Sequence, residues 1–310
     1  MQLPPVLSYS DNVLYNWELK TPSSDVLPAL DNIRCQTLFT DTNDEQEFYL
    51  CSARIELRGV EALELMRATM DEMFVGDAIA VRRITAYLHQ MATVIKDLNA
   101  LLLSVRDGCD PQVYYRDVRP WLRGADSDPR KRKWVFEGID TVPGLHEPTE
   151  LSGPSAGQSS LIHALTIFLG VDVYSQSPSS SGSSTPDKPS FLSRMQSYMP
   201  RHHRTFLLHL AANPRPLRGL VVSAADPDLV ASYNAAVLSL KEFRDAHMKI
   251  VALYIVSPAA KAKREANRAI EEKGPLKGTG GTDMVRFLKG VRDSTAKSVI
   301  LPSTSDTKKG

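Results

Sequence analysis

Apolar residues recur near a period of about 3.6 through most of this chain, and that spacing predicts helices. The longest candidate covers residues 78–105, where Ile79, Ile84, Leu88, Met91, Ile95, Leu98, Leu101 and Leu102 share one face. Gly108 and Pro111 supply its stop signal. Residues 226–256 form a second long candidate, opened by Asp226 and Pro227. Shorter helices are predicted over 11–19, 161–169 (entered through Ser159 and Ser160), 191–198 and 203–210, the last two separated by Pro200. Residues 45–73 read as a strand-like start running into a helix, and 282–299 as a final amphipathic helix. Residues 111–122 form a short segment interrupted by Pro120, and 260–273 a polar, solvated stretch. Few segments alternate with period two, so the fold class is all-α or nearly so.

Composition narrows the picture by exclusion. The 310 residues are 42% hydrophobic and 24% charged, as expected of a globular chain forming one large domain or two small ones. With 37 basic and 36 acidic residues the net charge is +1, so no global field points to nucleic acid or a membrane surface. The charged run 126–133 reads as a solvated surface loop, and the Ser-, Pro- and Gly-rich stretch 175–190 as a disordered one. Cys35, Cys51 and Cys109 form no CxxC pair, which argues against a disulfide scaffold or structural zinc site and fits a reducing, cytoplasmic compartment. No leader peptide and no spanning helix are expected.

The most informative single residue is His247. It falls four residues after Phe243 and three before Ile250, on the apolar face of the predicted 226–256 helix. An imidazole on such a face needs a partner for its ring nitrogens: commonly a backbone carbonyl, alternatively a metal or haem iron.

Other motifs are weaker. Gly153-Pro154-Ser155-Ala156-Gly157 matches the G-x-S-x-G nucleophile elbow, and with Asp245 and His247 formally suggests a serine hydrolase. That elbow requires a buried strand before it, and residues 146–152 do not read as one. The same small residues leading into a helix suit close backbone approach to a flat ligand. The glycine loop around Gly278, Gly280 and Gly281 lacks the Lys-Ser/Thr of a P-loop; it reads as a turn or a mobile lid over 274–283. The remaining histidines show no metal-ligand spacing, and HExxH is absent. Tyr114, Tyr115 and Arg119 share one short segment, where a ring beside a guanidinium suits an aromatic amino acid; an Arg119 pair with Asp117 or Glu137 is the plainer alternative.

Seven stretches occurring in order give the chain a resemblance. They are 6–14, 47–52, 114–122, Ser155-Ala156-Gly157-Gln158-Ser159-Ser160, 198–207, 244–251, and Gly278-Thr279-Gly280-Gly281-Thr282-Asp283. Together they resemble the indoleamine 2,3-dioxygenase family, of fungal type. The resemblance implies a single helical catalytic domain over 1–310 with haem b, ferrous when active, held between helices. His247 would be the proximal iron ligand and Arg244, one turn earlier, a propionate partner. Ser155 and Ala156 would face the haem; Tyr9, Ser52, Tyr114, Arg119 and Thr279 would contact the substrate, with Arg119 on its carboxylate. The implied reaction inserts both atoms of O2 across C2=C3 of L-tryptophan, giving N-formylkynurenine at the head of the kynurenine route and NAD synthesis. No catalytic side chain beyond the haem iron is implied. A monomer with an unspecified reductant, and no nucleic-acid or membrane partner, is expected. The family's small N-terminal helical domain is expected to be missing, since Met1 stands close to the Ser-Tyr motif. A truncated, non-catalytic haem-binding paralogue is therefore the alternative.

Overall fold

The computed structural model describes residues 3–25, 27–171, 190–213, 216–266 and 284–301. Its frame is a helical hairpin. Helix α1 (Asn43–Val75) starts where the Thr42 side chain accepts from the Glu45 amide and stops at Gly76, whose φ of 71° is the left-handed turn that glycine takes without strain. Asp77 follows at once, its carboxylate accepting from the Ile79 and Ala80 amides to open α2 (Ala78–Gly108). The two long helices can only return antiparallel from so short a joint, and they pack along their length.

Helix α3 is a single turn (Pro111–Val113), continued by a π-helical turn (Tyr114–Val118) and a 3-10 turn (Arg119–Leu122) that takes in Pro120. Helix α4 (Ser160–Phe168) is capped by Ser159, α5 (Phe191–Gln196) by Ser190, and α6 (Arg201–Ala211) begins after Pro200. Helix α7 (Leu217–Ala224) was not expected from the periodicity. Helix α8 (Pro227–Val251) starts with the Asp226 carboxylate on the Leu229 amide and runs on as a π-helical turn (Ala252–Val256) into α9 (Ser257–Ala266). Helix α10 (Met284–Lys297) packs on α8. The chain after it is pinned to α8 by the Asn234 side chain, which exchanges two hydrogen bonds of 2.8 Å with the Ile300 backbone.

The all-α class is borne out: the described residues contain one sheet, a three-residue antiparallel pair of β1 (Trp17–Leu19) and β2 (Ile33–Cys35). Two local expectations change. Residues 45–73 have no strand-like start, because the Thr42 cap nucleates helix through the aromatic run Phe48-Tyr49. The 11–19 helix shrinks to a π-helical turn (Ser10–Leu14), since the following residues pair with β2. Most of the 175–190 loop, the 274–283 loop and part of 260–273 lie outside the described residues. Among the described residues no helix is long and apolar enough to cross a membrane.

The main core lies between α1, α2, α4 and α8, filled by residues such as Met66, Ile84, Leu88, Ile95, Leu165 and Leu240, each fully buried. Helix α1 approaches α4 closely at Gly59, where any Cβ would overlap the Leu161 side chain. A tighter contact sits beside the future site: a Cβ on Gly153 would meet the Leu122 carbonyl oxygen, and one on Gly124 the Gly153 amide nitrogen. Both obstacles are backbone and cannot rotate away. Gly153→Ala is therefore expected to destabilise by about 1–3 kcal/mol, the cost of an overpacked contact, read as a lowered urea midpoint.

Candidate active site

Seven segments distant in sequence enclose one cavity, with about 1060 Å³ of empty space counted to its open mouth. That is the size of a cleft for a cofactor or a substrate. Its walls come from the 10–14 turn with Tyr9 before it, α1, the 114–122 turns, the 154–157 loop, Phe191 of α5, the C-terminal end of α8 with the turn after it, and α10. All three π-helical turns of the described chain contribute: Asn12 and Val13, Tyr114, and Tyr254 with Ile255. A π turn widens the helix by one residue and re-aims its side chains, a feature frequent at functional sites.

His247 projects into this cavity from α8, above Ile250, Val251 and Tyr254, as its place on the apolar face predicted. Burial alone pushes its imidazole down to about 4, so the ring is neutral near pH 7. Among the described residues no group hydrogen-bonds the ring, so the backbone-carbonyl alternative is not realised there. A neutral, partly buried imidazole facing an apolar cleft is the form that ligates a metal. Among the described residues no three His, Cys, Asp or Glu side chains are grouped to hold a metal ion, so a metal at His247 has to arrive carrying its own ligands. A metal-bearing cofactor would be held here through His247, among apolar and aromatic walls.

Arg119 is 7% exposed on the cavity wall, with its guanidinium carbon 5.4 Å from the Tyr115 ring centroid. The plainer pairing with Asp117 is not formed; Arg116 holds that carboxylate at 2.7 Å. Burial lowers the Arg119 pKa below the ordinary guanidinium value, the signature of a charge held out of water beside a space. Tyr114 is buried against Phe48, ring centroids 4.2 Å apart, and edge-on to Tyr254 at 5.8 Å. The Tyr254 hydroxyl donates to the Cys109 carbonyl at 2.6 Å, fixing the turn after α8 to the end of α2.

Tyr9, Ser52, Ser155 and Ala156 also line the cavity. The 155–160 loop is held from within: the Ser155 side chain accepts from the Gly157 amide, and His163 donates from Nε2 to the Gly157 carbonyl at 2.9 Å. Burial pushes His163 down to about 4, helped by the nearby Arg244 charge and opposed by the Gly157 bond.

Arg244 stands outside the cavity lining. It lies one turn before His247, but its guanidinium turns from the cavity and donates to the Thr166 hydroxyl at 2.7 Å, the Val291 carbonyl at 3.2 Å and the Thr295 hydroxyl. It thus joins α8 to α4 and α10. Thr279 lies outside the described residues. The serine-hydrolase alternative fails on two counts. No strand precedes Ser155, and the Asp245 carboxylate is taken by Lys241 at 2.6 Å and Arg292 at 3.4 Å rather than by His247. Sequence reading missed Glu56, whose carboxylate accepts from the Tyr9 and Ser159 hydroxyls behind the cavity wall. Its position four residues after Ser52 was the available signal.

Fold and site thus define a helical protein with one aromatic cleft into which a neutral histidine and a buried arginine project. Comparison with known proteins specifies it. Residues 1–298 match the family described as indoleamine 2,3-dioxygenase. The chain is 31% identical over 300 residues to mouse (Mus musculus) indoleamine 2,3-dioxygenase 1, covering 96% of this chain and 69% of that protein. It is 34% identical over 278 residues to indoleamine 2,3-dioxygenase nanC of Aspergillus nanangensis, covering 88% and 64% respectively. The indoleamine 2,3-dioxygenase of Saccharomyces cerevisiae is 32% identical over 324 residues, covering 94% and 68%. The chain belongs to the indoleamine 2,3-dioxygenase family.

The His163 geometry carries a pH dependence. Its folded pKa lies below the ordinary value of about 6.5, so the unfolded chain takes up the proton first as pH falls. The stability it contributes is complete above pH 6.5 and is lost down to about 4, with a slope of at most about 1.4 kcal/mol per pH unit. His163→Gln is expected to flatten that part of a pH series of urea midpoints.

Proposed function

We propose that this chain is a haem-dependent dioxygenase, an oxidoreductase that opens the indole ring of L-tryptophan with O2 to give N-formylkynurenine. One observation carries the reading: His247, Arg119, Tyr114, Tyr9, Ser52 and Ser155, drawn from separate segments, line a single cavity in a member of the indoleamine 2,3-dioxygenase family. Residues of the described chain act as one haem-binding catalytic unit in this reading.

His247 would hold haem b, ferrous in the working enzyme, and the haem would supply the activation of O2. The chain's own residues bind, orient and keep water out. The Arg119 guanidinium matches the planar carboxylate of an amino acid through two parallel N–H···O bonds, strong because both partners are charged and shielded from water. Tyr114, backed by Phe48, offers a ring face or edge to the indole. Ser155 and Ala156 are small, and with Gly157 they let the backbone lie close to a flat group. Arg244 takes a propionate only by exchanging its threonine partners for a carboxylate. That exchange is favourable, since a hydrogen bond to an anion is about twice as strong as one to a neutral hydroxyl. Thr279 is the proposed contact to the substrate's ammonium and carboxylate.

The product is the substrate plus both atoms of O2, so nothing leaves. No residue is needed to protonate a leaving group. No feature of the site favours a non-catalytic paralogue. A cytoplasmic location is supported by the three unpaired thiols, and a monomer with an external electron donor completes the reading.

His247→Ala is expected to abolish stoichiometric haem binding, read by titration and the visible spectrum; a normal haem spectrum in the variant refutes the ligand. Arg119→Ala is expected to weaken tryptophan binding by about 2–5 kcal/mol, the effect of truncating one side of a buried charge pair. An unchanged dissociation constant in the haem-loaded protein removes that role.

A further inference from the structure

Glu56 is a partly buried carboxylate that the proposed reaction does not use. It stands one turn beyond Ser52 on α1, so the two share a face. Its Oε1 accepts from the Tyr9 hydroxyl at 3.0 Å and from the Ser159 hydroxyl at 2.5 Å. Among the described residues it has no cationic partner: neighbouring Arg54 is held by Glu47, and Arg58 by Glu61 and Asp97. Burial, the largest influence on it, raises its pKa. A carboxylate shielded from water with two hydroxyls and no cation is a poor device for stability alone, where an apolar side chain of similar size does as well or better.

What it does do is converge three walls of the cavity. Tyr9 precedes the 10–14 turn, Glu56 belongs to α1, and Ser159 ends the 155–159 loop while capping α4. Tyr9 is gripped at both ends by this arrangement. Its backbone amide donates to Gln158 Oε1 at 2.8 Å, and its phenol to Glu56. Gln158 in turn donates to the Gly153 carbonyl at 2.9 Å. The adjacent pair Gln158 and Ser159 therefore ties the loop to Tyr9 directly and through Glu56. The phenol ring, on the cavity wall, has one direction in which to point.

We propose that Glu56 is a positioning residue that locks the Tyr9 phenol and the 155–159 loop into one wall and thereby sets the affinity for the amino-acid substrate. The proposal rests on the dioxygenase reading for its substrate, but the clamp itself does not. Glu56 acts through Tyr9 and touches neither substrate nor cofactor.

The test uses the full chain in two forms. In the protein without haem or substrate, amide exchange is followed in Glu56→Asp, whose carboxylate is one methylene too short to reach both hydroxyls, and in Glu56→Gln, which keeps an acceptor at full length. Glu56→Asp is expected to speed exchange in residues 9–14 and 155–160 together, and Glu56→Gln to restore most of the protection. Faster exchange in one segment only, or in neither, overturns the clamp. In the haem-loaded protein, Glu56→Asp is expected to raise the tryptophan Kd and KM about tenfold, the loss of roughly one hydrogen bond to a charged group, with kcat changed much less. In a Tyr9→Phe background the same substitution is expected to add little, because the arm it breaks is already gone. Independent, multiplying effects of the two substitutions, or an unchanged Kd, overturn the route through Tyr9. A wild-type chain that binds haem but no tryptophan refutes the proposed function, while the exchange measurement still decides the clamp.

Discussion

Helix α8 is held from both sides, by α2 along its length and by α10 beyond, and the site depends on that packing. The apolar face that buries Leu240, Phe243, Ile250 and Val251 carries His247 with it. A helix cannot turn one residue away from a face its neighbours i±3 and i±4 are committed to. The imidazole is thus forced against an apolar cleft, where burial keeps it neutral and no described group bonds it. Hydrophobic packing, rather than polar contact, delivers His247 to the cavity.

The opposite wall follows other physics. It is built from short turns: 10–14, 114–122 and 154–157, none with a long apolar face of its own. Hydrogen bonds from buried side chains hold them: Glu56 and Gln158 on Tyr9, His163 on the Gly157 carbonyl, Tyr254 on the end of α2. The glycine contact between 122–124 and 151–153 sets Arg119's segment against the Ser155 loop at backbone distance. Helices fix the His247 side of the cavity and side-chain networks fix the Arg119 and Tyr9 side. In the proposed reaction this division would leave the chemistry to the cofactor and orientation to the protein.

Arg244 shows the limit of spacing as a guide. One turn from His247 is a correct statement of geometry, yet the guanidinium is long enough to choose among several partners, and here it meets Thr166, Thr295 and Val291. Helical periodicity settles which face a Cβ leaves from; it does not settle where a five-donor head ends after four rotatable bonds. Asp245 is a second case. Adjacent in sequence to the histidine region, it resembles a triad acid on paper, but it leaves the helix on another face and pairs with Lys241 and Arg292.

The sequence by itself determined the helical class, the long helices over 78–105 and 226–256, the helix starts at Ser159 and Asp226, and the apolar-face position of His247. Each of these depends on interactions within about one helical turn, where periodicity and capping chemistry act. It also carried the family motifs, and the residues read from them as Tyr9, Ser52, Tyr114, Arg119, Ser155 and Ala156 do meet at one cavity. Only the tertiary structure decided that residues 17–19 pair with 33–35 and that Arg244 faces α4 and α10. It alone revealed Glu56 beneath Tyr9, a contact between residues 47 positions apart. Such pairings cost chain entropy to close and are specified by the packed whole, so no local pattern announces them.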